Sequence, residues 1–323
     1  MSGDARRRKP HDGLVRYTFR RPEAVGVVLR RVLPASLVSC IDFDSMRPWP
    51  TVDSDRELHV RAADLRFEMD LVDAGRRVPL YAMLEHQSTL EPRFPCRALA
   101  YLGDFWAGYI RDHPERTTVP AIVPVLIAQH PARDTPRRLT EVLDLPSRFR
   151  GMLGRSVELK MYVDDLSGSV LGDRHASPPV LALVEITRAL LHAYRNSSTL
   201  TPARLETLAS QFDVLLQRND PVGNEDVHAL LRYVVTVFGN QSPVRDMIFG
   251  AMSRRVGEMY LTIEDGLLAR GRAEALLEVL GHRGLSVPDA VRDRVLSMHD
   301  PRVLKQWLAR AVVVGSADAL FAD

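Results

Sequence analysis

The stretch from Glu57 to Gln87 constrains this chain more than any other. Leu65, Phe67, Met69 and Leu71 alternate with Asp64, Arg66, Glu68 and Asp70, which is the period of a strand buried on one face. Asp73-Ala74-Gly75-Arg76-Arg77 is turn chemistry, and Val78 to Gln87 is a second, apolar strand whose last residues become polar. Together they predict a hairpin. With Ala74-Gly75 at its centre, opposed residue numbers sum to about 149, so Asp64 faces Glu85. Directly opposed side chains share a face with their Cβ atoms about 5 Å apart. Two carboxylates that close repel, and the usual resolutions are a shared proton or a divalent cation. Oxygen ligands with no His or Cys cluster nearby favour Mg2+ or Mn2+. Gln87, two residues after Glu85, projects onto the same face and is placed to hold a water beside the metal. Such a site polarises phosphate and lowers the pKa of water, as phosphodiester hydrolysis requires. A register shifted by one residue would put Asp64 and Glu85 on opposite faces and leave ordinary surface charge.

The rest of the chain supplies helices and further strands. Apolar positions from His11 to Pro34 have helical spacing and predict one or two short helices. Asp12 reads as the N-cap of a helix starting at Gly13; the alternative is an acid reaching toward the hairpin. A helix is expected from about Pro92 to His113, with Phe105, Trp106 and Tyr109 on its core side. Val119 to Gln129 reads as a strand whose pairing is limited by Pro120 and Pro124. Val157 to Val163 is a possible fourth, and Asp164-Asp165 before Ser167-Gly168 reads as a turn. The segments 179–195, 201–217, 224–238 and 243–257 are helical in pattern, with Thr201-Pro202 and Asn224 as starting signals. In a last block, 264–323, Gly284, Ser286-Val287-Pro288 and Asp300-Pro301 mark helix boundaries.

Composition excludes several classes. With 46% hydrophobic residues and a formal charge of +2 over 323 residues, the chain is neither disordered nor collagen-like. Cys40 and Cys96 make neither a disulfide framework nor a tetrahedral zinc site, and predict a reducing compartment, the cytoplasm. No apolar run is long enough to span a membrane. The absence of a GxSxG elbow, a Walker loop and a strand-following GxGxxG excludes serine hydrolases, NTPases and dinucleotide enzymes. The near-neutral total permits nucleic acid as a partner without indicating it, and Arg6-Arg7-Arg8-Lys9 is a basic arm suited to phosphate.

Several motifs then converge on one family. His11-Asp12-Gly13-Leu14, Arg21-Pro22-Glu23-Ala24, Val32-Leu33-Pro34, Ile41-Asp42 and Ala63-Asp64-Leu65-Arg66-Phe67 come first. Tyr81-Ala82-Met83-Leu84-Glu85-His86-Gln87-Ser88 follows, with Arg97 and Tyr101 one helical turn apart beyond it. Together they resemble the recombination-promoting nuclease (Rpn), or transposase-like, family of the PD-(D/E)XK nuclease superfamily. The block from Asp265-Gly266 to Phe321 resembles a small helical domain often attached to these proteins.

The resemblance implies an α/β fold, a PD-(D/E)XK-like mixed sheet flanked by helices and followed by an all-helical C-terminal region. It divides the chain into a nuclease domain over 1–195, a helical extension over 196–260 and a small helical domain over 261–323. It implies Asp64 and Glu85 as ligands of Mg2+ or Mn2+, with the His86 backbone carbonyl as a third. Gln87 stands where relatives usually carry Lys; it can orient water but cannot act as a cation or proton store. Arg66, Arg97 and Tyr101 are the implied DNA contacts, although Tyr101 could equally fill the core. The function implied is a metal-dependent DNA endonuclease acting in recombination or defence against foreign DNA, as a homodimer through the helical C-terminal half. The alternative is a catalytically lapsed DNA-binding or assembly protein. Two departures favour that alternative: the Lys-to-Gln change, and Ile127-Ala128-Gln129-His130, where many relatives carry Tyr or His followed by Gly.

Overall fold

Ala74 (φ 47°) and Gly75 (φ 82°) both adopt left-handed backbone, the requirement of a two-residue hairpin turn whose twist suits its strands. They join a strand over Leu65–Asp73 to one over Arg76–Gln87, paired antiparallel from Leu65↔Leu84 to Asp73↔Arg76. This is the register expected from the sequence. The computed structural model describes residues 10–49, 65–89, 91–129, 135–144, 159–218, 220–238 and 242–321. Asp64, the Arg6 to Lys9 arm and His130 lie outside the described residues.

The hairpin forms β2 and β3 of a five-stranded mixed sheet with spatial order β1-β2-β3-β4-β5. Strand β1 (Ile41–Pro48) is antiparallel to β2. Strand β4 (Ala121–Ala128) is parallel to β3, and β5 (Tyr162–Asp165) is parallel to β4. Pro120 precedes β4 and Pro124 lies within it, so the expected strand is slightly shorter at both ends. Of the expected fourth strand, Val157 and Glu158 lie outside the described residues, and the described strand runs from Tyr162 through Asp165.

The pleat of β3 divides the sheet into two faces. Leu80, Ala82 and Leu84 enter a core shared with α1 (Pro10–Phe19) and α2 (Pro22–Val32). Met83 points the other way, into a smaller core with Leu126, Ala128 and one side of α4 (Phe94–Asp112). Between α2 and β1, α3 (Ala35–Val38) is a single turn. Pro95, rather than Pro92, occupies the first turn of α4, because Arg93 is its N-cap.

Helix α5 (Pro178–Arg195) packs beneath the larger core and is followed by α6 (Pro202–Gln217) and α7 (Pro221–Phe238). Thr201 caps α6 by accepting from Arg204 N at 3.3 Å. Helix α7 starts three residues before Asn224, and Asp220 Oδ1 accepts from Gly223 N at 2.7 Å. The expected helix over 243–257 is broken at Met252 and Ser253 into α8 (Pro243–Ala251) and the 29-residue α9 (Arg254–His282). Val256, Tyr260 and Ile263 of α9 belong to the larger core. Farther along, Ala269, Ala273, Leu276 and Leu280 join a separate core with α10 (Asp289–Leu296) and α11 (Pro301–Ala311). Asp300 caps α11 through Arg302 N at 2.7 Å, as its position before Pro301 predicts. No described helix is long and apolar enough to cross a membrane.

Candidate functional site

Glu85 and Gln87 end β3 on the face that carries α4, because they follow Met83 at strand period. On β2, Arg66 pairs with Met83 and therefore shares that face. Phe94 and Tyr101 anchor α4 in the core beneath it, which brings Arg97 over the end of β3. The structure thus gathers Arg66, Glu85, Gln87, Arg97 and Tyr101 on one side of the sheet. Asp64, the second carboxylate of the expected pair, lies outside the described residues.

Charge at this site is already matched. Arg97 Nη2 donates to Glu85 Oε1 at 2.7 Å, and Arg97 Nη1 pairs with Glu91. The guanidinium also lies 5.0 Å from the Phe94 ring centroid and 6.0 Å from that of Tyr101. Glu91 was not among the residues picked from the sequence, and only its place in the loop before α4 reveals its part. Tyr101 is buried in the smaller core, as the packing reading expects. Arg66 is half-buried, and burial lowers its guanidinium pKa against the pull of Asp104 and Tyr101. Alongside, Trp49 packs edge-on against Tyr81 at 5.0 Å, and Phe105 lies 4.9 Å from Tyr81. Burial, with Glu68 beside it, pushes the Tyr81 hydroxyl up to about 12.

Gln87 is the unusual member. Its side chain is buried, and neither Oε1 nor Nε2 has a hydrogen-bond partner among the described residues. A buried amide left unpaired costs about 1–3 kcal/mol, so a polar guest such as water is called for beside it. The oxygens of Glu85 and Gln87 are hard donors and fit Mg2+ or Mn2+ in kind. Among the described residues, no group of three or more His, Cys, Asp or Glu side chains could hold a metal ion. A complete ligand set therefore needs residues beyond them, and Asp64 is the expected one.

His86 faces the other way. Its ring is buried and its Nδ1 lies 2.8 Å from Asp12 Oδ1. Asp12 is therefore not the N-cap expected from the sequence. Helix α1 starts at Pro10, which places Asp12 inside the first turn with its carboxylate turned to β3. The neighbouring His11 Nδ1 lies 2.7 Å from the Tyr233 hydroxyl of α7. The acid of the first helix thus reaches the strand that bears Glu85, through a residue on its opposite face.

Asp164 and Asp165 divide the roles that one turn was expected to fill. Asp165 accepts from Ser167 N at 3.0 Å and from the Ser167 hydroxyl, which is turn chemistry. Burial raises its pKa, but the Ser167 bonds, with Arg31 and Arg188 nearby, leave the carboxyl below the usual aspartate value. Asp164 is instead buried between two guanidiniums: Arg188 of α5 bonds its Oδ2, and Arg31 Nε donates to its Oδ1 at 3.1 Å. Arg188 also donates to the carbonyls of Asp165 and Gly168, at 2.7 and 3.3 Å. A fully buried arginine on a helix read as apolar has no signature in the sequence.

The sequence pattern of the family described as "Putative transposase, YhgA-like" matches residues 9–202. No curated protein and no solved structure matches the chain.

Proposed function

Because this chain belongs to the YhgA-like transposase family, we propose that it is a DNA endonuclease dependent on Mg2+ or Mn2+, hydrolysing phosphodiester bonds in recombination or in defence against foreign DNA. The observation that carries this reading is the buried amide of Gln87, without a hydrogen-bond partner among the described residues, two positions along the central strand from the Glu85 carboxylate. Glu85, with Asp64 and the His86 carbonyl, would hold the cation. When bound, the cation supplies charge neutralisation at the phosphate and a lowered pKa for water.

The chain's own groups do the remainder. Gln87 orients a water through one amide atom without taking its proton. Arg97 holds Glu85 in place by the 2.7 Å bond, and its guanidinium, on the same face, is the group that would meet a phosphate oxygen beside it. Arg66 adds a cation on the same face, and Tyr101 fixes the floor under Arg97.

The Glu85–Arg97 pair also favours a second reading, a lapsed site in which the pair is structural and DNA is only bound. Cleavage of supercoiled plasmid separates the two. Under the first reading Mg2+ or Mn2+ produces nicked or linear plasmid, chelator stops it, and Asp64→Ala and Glu85→Ala abolish it while remaining folded. Salt-sensitive binding with no cleavage under any metal would sink the nuclease reading and leave the second.

A further inference from the structure

A cavity of about 300 Å³ lies beyond the carboxyl ends of β4 and β5. Gln129, Asp165 and Ser167 line it from the sheet, and His192, Arg195 and Asn196 line it from the end of α5. It neighbours the site above, because Gln129 N donates to the carbonyl of Gln87 at 3.0 Å. Crevices outside the carboxyl ends of parallel strands are where open α/β sheets receive ligands.

Gln129 gives this cavity a demand that its walls do not meet. More than nine-tenths of the residue is buried, and Nε2 donates to Leu191 O at 3.1 Å, which fixes the orientation of the amide. Oε1 is buried with no partner among the described residues, so the amide of this lining residue keeps an acceptor that lacks a donor. Arg195 is exposed and has no carboxylate partner among the described residues. Asp165 is occupied by Ser167 and stays ionised. One carboxylate, one guanidinium and an imidazole make a mixed lining that suits a singly charged phosphodiester better than a free dianionic phosphate. The volume is at the lower end for small-ligand pockets, enough for about one nucleotide unit.

We propose that this cavity receives one unpaired nucleotide of the nucleic acid strand, with Arg195 and His192 at the phosphodiester and Gln129 Oε1 accepting an N–H from the base. Every nucleobase carries an N–H donor on its pairing edge, and in a duplex that donor is already used. The pocket therefore selects single-stranded or unstacked substrate over intact duplex. The proposal rests on nucleic acid being the substrate, as in the reading above, but not on cleavage.

The test is binding of the full chain, in chelator so that no cleavage intervenes, to a fluorescent DNA single strand of about 10 nucleotides and to its duplex. Arg195→Ala is expected to weaken single-strand binding about tenfold, and Gln129→Met about fivefold, with duplex binding unchanged. Should Gln129→Met melt at a lower temperature, Arg195→Ala decides alone, since its exposed side chain leaves no described partner behind. Single-strand affinity equal to that of the unmodified chain in Arg195→Ala overturns the proposal. Glu85→Ala separates this idea from the nuclease reading, because it should bind the single strand normally while losing cleavage. A chain that never cleaves, yet loses single-strand binding in Arg195→Ala, leaves the pocket standing and removes the nuclease. Metal-dependent cleavage with pocket variants that bind normally does the reverse.

Discussion

Replacing Asp164 with Ala strands the most deeply buried cation in the described structure. Arg188 is 0% exposed, and among the described residues Asp164 is the carboxylate in direct contact with it. Without it the guanidinium keeps two carbonyl acceptors, those of Asp165 and Gly168, and among the described residues no carboxylate bonded to it. Arg31 offers no relief, since it is a second cation and its side chain is 32% exposed and already solvated. Removing one partner of a buried ion pair costs about 3–5 kcal/mol, a large share of the roughly 5–15 kcal/mol that holds a domain folded. For a unit of this size each kcal/mol moves the melting temperature by about 2–4 °C, so Asp164→Ala should melt about 6–20 °C lower. Replacing both partners, Asp164→Leu with Arg188→Met, removes the charge along with its partner and should recover most of the loss. Thermal unfolding followed by circular dichroism measures all three proteins. A melting temperature for Asp164→Ala within about 2 °C of the unmodified chain would refute the reasoning, since the pair would then contribute nothing net.

Two further outcomes follow from the hairpin and from the aspartates at turns. Ala74 sits at φ 47°, a region that costs an L-residue about 1–2 kcal/mol and that Asn tolerates better, so Ala74→Asn should stabilise the fold by about 0.5–1 kcal/mol in urea denaturation. Unchanged or lower stability would show that the turn is not strained. The carboxyls of Asp165 and Asp220 lie below the ordinary aspartate value of 3.8, held down against burial by Ser167 at one site and by the Gly223 amide and Arg218 at the other. A depressed carboxyl contributes stability that is complete above its unfolded value and is lost as pH falls through the folded one. Acid unfolding below about pH 4 should therefore be less steep in Asp165→Asn than in the unmodified chain; identical profiles would contradict the assignment.

The parts of this fold that were legible in the sequence are those set by local pattern. Alternation from Leu65 to Leu71, the Ala74-Gly75 turn and the apolar run to Gln87 are enough to define the hairpin and its register. Strand β1 escaped because it is an edge strand with an irregular register between Asp42 and Arg47, so Ile-Asp-Phe-Asp-Ser-Met-Arg-Pro shows no clean alternation. The break at Met252 and Ser253 was hidden by apolar spacing that continues through it. At the site, side-chain identity and facing were readable from β3, whereas partners were not. Arg97 with Glu85 and Glu91, Asp12 with His86, and Asp164 with Arg188 and Arg31 are pairings between distant elements, and nothing in local spacing selects them. The free acceptor of Gln129 belongs to the same category, since it is defined by what fails to meet it.

Helix α9 has a consequence that concerns rotation. It runs for 29 residues, about 43 Å at 1.5 Å per residue, and its two halves serve different cores. An unbroken helix acts as an axle whose phase is set by residue count, so each residue added between Ile263 and Ala269 turns the C-terminal core by about 100° around the main body. A seven-residue insertion would restore the original facing to within about 20° while carrying that core about 10 Å farther out. The length of this segment, more than the identity of its exposed side chains, therefore decides which surface of the C-terminal helices is presented beside the sheet.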